Sequence, residues 1–426
     1  MSEPERSLGP RPRHLPLAPL AQPSRRALPL AADVRPVDRV RPVYAVWEIT
    51  LACDLLCRHC GSRAGKSRPD ELDTAEALDL VDQMAQLGVK EVTIIGGEAY
   101  LRSDWLEIVA RITAHGMVCT MTTGGRQLDE AKVLAAKAAG LRAVSVSVDG
   151  LEHSHDEQRG MRGSHHSALN AIRVLSLHGV RVTANTQINQ RNLHEIEAVY
   201  ELLRDAGIEA WQFQLTTAMG RAGDEDNLLL QPWQVLDVVP RMARLKERGD
   251  REGVVFWPGN NIGYFGPHEA HLRSRMPGNH RGSCGAGRST LGIEANGDIK
   301  GCPSLPTADY VGGNVRRDRL QDIWERAGAL RFTRDFVRTE LSGYCAECYY
   351  ADECRGGCNW TSHVLLGYRG DNPYCHHRAL ELQKRGEREI VVRTEAAPGE
   401  PFDHGRFVVV RERWPGAALG GAPEIR

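Results

Sequence analysis

Cys53, Cys57 and Cys60 stand in a C-x3-C-x2-C spacing directly after an apolar run at residues 43–51. Three thiolates this close can hold three irons of a 4Fe–4S cube and leave the fourth iron open. An open iron binds a small molecule, so the spacing suggests chemistry as well as electron storage. By itself the same spacing could also serve zinc. Seven more cysteines follow late in the chain: Cys284, Cys302, then Cys345-x2-Cys348-x5-Cys354-x3-Cys358, then Cys375. The remaining one, Cys119, lies inside an apolar strand pattern and reads as a small core residue. A disulfide framework fits poorly with an odd count in a chain of 426 residues that shows no secretion signal. Paired C-x2-C and C-x3-C spacings point instead to metal or Fe–S ligation.

The elements that must position the first three thiols are legible. From about residue 44 to 247, strand-like and helix-like segments alternate. The strand candidates are 44–51, 91–95, 117–122, 143–148, 181–188 and 210–215, most of them rich in Val, Ile and Thr, as buried parallel strands are. The first helix is the clearest. Asp73 and Glu76 form a capping box, Ala77, Leu80, Val81, Met84 and Leu87 share one face, and Gly88 supplies the stop. Further helices are expected at 105–115, 129–139, 167–178, 193–205 and 232–246. Six strand–helix units predict a partial (β/α)6 TIM-like barrel, an α/β fold open on one side. In such barrels chemistry gathers on the loops after the strands. The Cys53–Cys60 loop follows the first strand, and Gly96-Gly97-Glu98 ends the second. The two should meet at the barrel mouth, where glycines let a ligand approach the backbone and Glu98 can accept from an ammonium group.

On these residues the chain resembles the radical SAM superfamily. The cysteine spacing is that family's cluster motif, with His59 where an aromatic residue usually stands. Gly96, Gly97 and Glu98 match the motif that contacts the methionine amino group of S-adenosylmethionine, with Ala99 replacing the usual proline. Ser147 matches a fourth-strand motif, Arg159 a following arginine that handles the cofactor, and Asn185 a fifth-strand position. Thr122 and Thr123 end the third strand, where the adenosine end often sits. The resemblance implies reductive cleavage of S-adenosylmethionine to a 5′-deoxyadenosyl radical, which abstracts hydrogen from a substrate. The late cysteines resemble the SPASM extension of radical SAM peptide maturases, which carries two auxiliary 4Fe–4S clusters. Carried over by position, the interior cluster takes Cys284, Cys302 and Cys358, and the outer cluster takes Cys345, Cys348, Cys354 and Cys375. Some relatives supply a fourth interior thiolate where this chain has Gly278, with His280 nearby. The implied organisation is a Pro/Arg-rich segment at 1–43, the barrel at 44–250, a linker at 251–282, the cysteine-rich SPASM Fe–S domain at 283–380, and a hairpin with tail at 381–426.

What the resemblance implies about function is modification of a ribosomally made peptide: a cross-link, a thioether or a related C–H functionalisation. Its partners would be the precursor peptide and a reductant such as flavodoxin or ferredoxin; because no stretch has the length of a leader-recognition domain, the leader would engage a separate leader-binding protein, the barrel surface, the hairpin at 389–412 or the cysteine-rich module itself. The other readings are action on a tetrapyrrole or other small molecule, and a non-catalytic Fe–S electron carrier. Pro303 and Ser304 follow Cys302, where formylglycine-forming relatives place an aspartate, so that branch is disfavoured. No residue identifies itself as the active-site base. Asp298 falls in a hairpin turn, and Tyr264 and Trp257 are candidates to line the substrate cleft.

Composition narrows the classes. A formal charge of −1 and 6% aromatics argue against a nucleic-acid partner. No apolar run approaches the length of a membrane span. The Arg25-Arg26 pair is followed by Pro29, Asp33 and Arg35, so it lacks the apolar core of an export signal. A cytoplasmic location is the expectation.

Overall fold

The computed structural model describes residues 40–225, 227–280, 282–415 and 424–425. Most of the expected Pro/Arg-rich segment, residues 1–39, lies outside them, and so do residues 416–423 and 426 of the tail.

The first half runs β1 (Tyr44–Glu48), α1 (Thr74–Leu87), β2 (Glu91–Ile95), α2 (Trp105–Ala114), β3 (Val118–Thr123), α3 (Glu130–Ala138), β4 (Ala143–Ser147), α4 (Glu152–Arg159), α5 (Ser164–Leu177), β5 (Arg181–Ile188), α6 (Ile196–Asp205) and β6 (Ala210–Leu215). The helix at α1 starts where the capping box places it. The Asp73 carboxylate accepts from Glu76 N at 2.8 Å, and the Glu76 carboxylate accepts from Asp73 N at 2.9 Å. Its buried face is Ala77, Leu80, Val81, Met84 and Leu87, and Gly88 ends it at φ 95°, a conformation that costs other residues more than glycine.

Two elements depart from the sequence expectation. A seventh strand, β7 (Val255–Pro258), pairs in parallel with β6 inside the stretch expected to be linker. It is four residues long and bracketed by Gly253 and Gly259, too short for its alternation to register. The other is α4, whose residues Glu152–Arg159 carry no aliphatic or aromatic hydrocarbon side chain to announce a buried stripe.

Strands β1 to β7 pair in parallel and in sequence order. The cysteine-rich module continues the same sheet. Its strand β8 (Thr290–Ile293) pairs in parallel with β1, and β9 (Asp298–Lys300) and β10 (Gly313–Asn314) follow antiparallel. The turn expected at Asn296-Gly297-Asp298 joins β8 to β9. Two long strands, β11 (Glu387–Glu395) and β12 (Arg406–Arg413), form the expected hairpin, joined by β13 (Glu424–Ile425).

The two faces of the parallel sheet differ. One face, including Cys119, Met121, Val144, Val146, Val182, Ala184, Trp211 and Phe213, is buried in the main apolar core. The opposite face is mixed: it carries Val46, Ile95, Val118 and Ala143 beside a row of hydroxyl and amide side chains. There the Tyr44 hydroxyl meets Thr93 at 2.9 Å and Thr93 meets Thr120 at 2.7 Å, a relay across three strands. Further along, Asn185 donates to Ser145 at 3.3 Å and Ser147 donates to Asn185 at 3.3 Å. A parallel sheet covered by helices on one side curves around its other side, so this mixed face lines the open barrel.

Candidate active site

The Cys53–Cys60 loop is held by backbone, not by regular structure. Cys53 N donates to Gly65 O at 3.0 Å, Leu56 N to Arg159 O at 3.2 Å and Arg58 N to Gln158 O at 2.8 Å. The last two bonds satisfy end carbonyls of α4, so the loop and that helix fix each other. Gly97 N and Glu98 N donate to Thr50 O and Ala52 O at 2.8 and 2.7 Å. A Cβ on Gly97 would lie 2.1 Å from Ala52 O, and one on Gly96 2.5 Å from Thr50 O. The two glycines thus let the second-strand loop dock against the cysteine loop.

Glu98 is 2% exposed. Its carboxylate accepts from the Thr123 hydroxyl and from Gly124 N at 2.6 Å. Burial pushes it up to about 7, against those two hydrogen bonds. The neighbouring Thr122 is only half-buried and sits in register with Ser145 on the mixed face, so Thr123 is the third-strand residue that reaches Glu98. Asp54, which the sequence reading passed over, lies beside them. Cys53, Asp54 and Glu98 each offer a ligand atom within 4.8 Å of the others, and Asp54 Oδ1 is buried without a hydrogen-bond partner. Two carboxylates beside a thiol suit a cationic group such as the ammonium or sulfonium of S-adenosylmethionine.

On the other side of the loop, Arg159 donates to Cys57 Sγ at 3.7 Å and pairs with the buried Asp149. His59 Nε2 is 3.2 Å from the same Asp149 carboxylate. Burial opposes the charge on Asp149, but Arg159 and His59 outweigh it and hold the carboxyl below its usual range. The Asp149 hub was missed because its partners are distant in sequence. Ser147 and Asn185 are brought side by side across β4 and β5.

The donors fit iron. Burial pushes the Cys53 and Cys57 thiols up to about 12 and about 11. Such pockets hold thiolates when cations neutralise them. The late cysteines fall into two groups. Burial, then the nearby thiols of Cys284 and Cys358, push Cys302 up to about 12. Burial, then Cys375, Cys345 and Cys348, push Cys354 well above the thiol range. Cys119 stays in the core, 0% exposed. His280 points toward Glu353 (3.8 Å) and Phe265. A narrow cleft of about 20 Å3 opens beside Cys284, lined also by Glu340, Arg355, Asn359 and Arg369. Tyr264 is buried, with its hydroxyl donating to Asn260 O, and its own carbonyl lies 3.6 Å from Cys375 Sγ.

A radical SAM superfamily profile matches residues 47–208, and an iron–sulfur cluster-binding SPASM profile matches residues 284–349. The chain is 30% identical to the mycofactocin maturase MftC of Mycolicibacterium smegmatis over 365 residues, 80% of this chain and 87% of that one. The chain belongs to the radical SAM superfamily. This radical SAM protein is also 28% identical to the AdoMet-dependent heme synthase of Methanosarcina barkeri over 358 residues, 79% of this chain and 97% of that one. The crystal structure of Streptococcus suis SuiB bound to S-adenosylmethionine shares its fold, with a TM-score of 0.61 at 15% identity, over 79% of this chain and 76% of SuiB. As a radical SAM protein with a SPASM domain it is an oxidoreductase-type enzyme that uses S-adenosylmethionine, a 4Fe–4S cluster and auxiliary Fe–S clusters. The electron-carrier reading falls with that. No helix among the described residues is long and apolar enough to cross a membrane.

Proposed function

We propose that this radical SAM enzyme modifies a ribosomally made precursor peptide, installing a cross-link, a thioether or a related C–H functionalisation. The row of hydroxyl and amide side chains on the barrel face carries this reading. A peptide presents an N–H and a C=O at nearly every residue, each needing a partner once water is excluded. Thr93, Thr120, Ser145, Asn185 and Gln212 provide neutral donors and acceptors there. A tetrapyrrole macrocycle would be better served by apolar walls. The name of the Mycolicibacterium relative, a maturase, agrees with the peptide reading.

Cys53, Cys57 and Cys60 would hold the reducing cluster, and the two late groups the auxiliary ones. Bound together, the first cluster and S-adenosylmethionine supply a 5′-deoxyadenosyl radical. Asp54 and Glu98 would hold the positive end of S-adenosylmethionine. Arg159 would neutralise its carboxylate or the cluster thiolate, and Ser147, Asn185 and Thr122 would position its nucleoside end. The sheet face would hold the peptide, with the barrel at 44–250 and the SPASM module at 283–380 as the two working parts. Electrons would come from a flavodoxin or ferredoxin, and a separate protein would present the leader.

The test is anaerobic incubation of the cluster-replete enzyme with S-adenosylmethionine and dithionite, with either the peptide of a short neighbouring reading frame or an iron coproporphyrin. A mass change in the peptide, matched by 5′-deoxyadenosine, is expected. Turnover of the porphyrin alone would replace the peptide reading with the tetrapyrrole one. The span of the Methanosarcina heme synthase match, 97% of that relative, favours that second reading.

A further inference from the structure

Without using any thiol, Asp309, His363 and His404 converge from three separate segments. Asp309 is on the short helix Thr307–Tyr310, His363 on the helix Asn359–Leu366, and His404 in the loop between β11 and β12. One ligand atom from each lies within 4.8 Å of the other two. Asp309 Oδ2 is 3.1 Å from His363 Nε2, close to the donor–donor spacing of about 3.3 Å that bonds of about 2.0 Å subtend in a tetrahedral site.

Both imidazoles have their other nitrogen engaged. His404 Nδ1 lies 2.8 Å from Gly405 O. A carbonyl only accepts, so Nδ1 carries the proton and Nε2 keeps its lone pair. His363 Nδ1 is held 3.0 Å from the Tyr310 hydroxyl, which also accepts from Arg369 at 3.3 Å. Such outer partners set ring orientation and tautomer in metal-bound histidines. The loop bearing His404 is anchored on both sides of the cysteine loop's exit. Phe402 N donates to Gly61 O at 3.2 Å, and Asp403 accepts from Arg63 at 2.8 Å through its carboxylate and from Gly220 N at 2.8 Å through its carbonyl.

We propose that Asp309, His363 and His404 form a binding site for one divalent transition-metal ion, with zinc(II) the ion whose chemistry matches. Two imidazoles and one carboxylate are a borderline donor set that suits zinc over the hard cations calcium and magnesium. Three protein ligands leave a fourth position for water or a substrate group. Occupancy ties the C-terminal hairpin, which rests on the barrel mouth, to the helix that follows Cys358. Because the site uses no thiol, it does not compete with iron for ligands.

The experiment takes the full, cluster-replete chain, removes loosely held metal with a mild chelator and titrates it with zinc chloride. Metal content and zinc K-edge X-ray absorption are the readouts. One zinc per chain is expected, with only nitrogen and oxygen scatterers at about 2.0–2.1 Å. The His404→Ala and Asp309→Asn variants lose that stoichiometric zinc while their iron content stays at the wild-type value, which reports folding. Tyr310→Phe, which removes an outer partner only, weakens zinc binding about 10–100-fold. Equal zinc uptake by wild type and His404→Ala overturns the proposal. So do sulfur scatterers near about 2.3 Å, or no uptake by an iron-replete chain.

Discussion

The barrel mouth and the cysteine-rich module solve one problem in two ways. At the mouth, three cysteines occupy eight consecutive residues, Cys53 to Cys60, and the ends of β1, β2 and α4 hold the loop from both sides. In the module, seven cysteines are spread from Cys284 to Cys375 over short helices and turns, and the fold gathers them into a group of three and a group of four. The electrostatics nevertheless repeat. Each group has one buried cation near it, and each cation is pinned by carboxylate. Arg159 serves Cys57 and is held by Asp149. Lys300 serves Cys302 and is held by Glu294 at 2.7 Å. Arg378 serves Cys345 and Cys375 and is held by Glu389 at 2.7 Å and by Asp371. A fixed cation lowers the cost of gathering thiolates out of water, and the carboxylates keep it aimed.

The sharpest way to break the parallel is to remove one thiol from each region. Cys57→Ser should abolish 5′-deoxyadenosine formation and lower iron from about twelve to about eight per chain. Cys348→Ser should lose a similar amount of iron yet keep measurable cleavage of S-adenosylmethionine. Equal loss of cleavage in both would mean that the two regions are not separable.

Removing the cations comes next. Arg378→Met leaves Asp371 buried without its cation, and Glu389 with Arg411 alone at 3.3 Å; it should cost about 3–5 kcal/mol, seen in thermal melts, with loss of outer-group iron. Arg159→Met should strip iron from the mouth and spare the module. A variant of either kind that keeps full iron would show that its cation does not support the thiols beside it.

A smaller effect lies at the seam. Glu48, at the end of β1, faces Arg68, Glu294 and Lys300, and burial pushes it up to about 8 from 4.5. Its folded form therefore binds the proton more tightly than the unfolded chain does. Stability should fall as pH rises through that window, by up to about 1.4 kcal/mol per pH unit. Glu48→Gln removes a titrating proton and should flatten the melting temperature between pH 5 and 8. Parallel curves for the two proteins would mean that Glu48 stays ionised throughout. Smallest of all, Ser147→Ala removes one hydrogen bond to Asn185. It should cost about 1 kcal/mol of stability, read as a lower melting temperature.

The mouth was legible because its determinants are local. Cysteine spacing, the Gly96-Gly97-Glu98 turn and the Asp73–Glu76 cap each act within a few residues, and β2, β5 and β6 begin and end where their alternation does. Short or wholly polar elements were not legible: β7 has four residues, and α4 has no apolar stripe. Contacts between remote residues were silent too. Asp54 beside Glu98, Thr123 bonded to Glu98, and Asp149 between His59 and Arg159 follow from which loops the barrel brings together.

By itself the sequence determined the α/β alternation, the thiols able to hold iron and the hairpin near the end, because periodicity and spacing are properties of neighbours along the chain. Only the tertiary structure decided that β8 extends the barrel sheet at β1, which cations stand behind which thiols, and that Asp309, His363 and His404 meet. Burial and Coulomb interactions act through space, and residues 54 positions apart, such as Asp309 and His363, carry no mark of one another until the chain has folded.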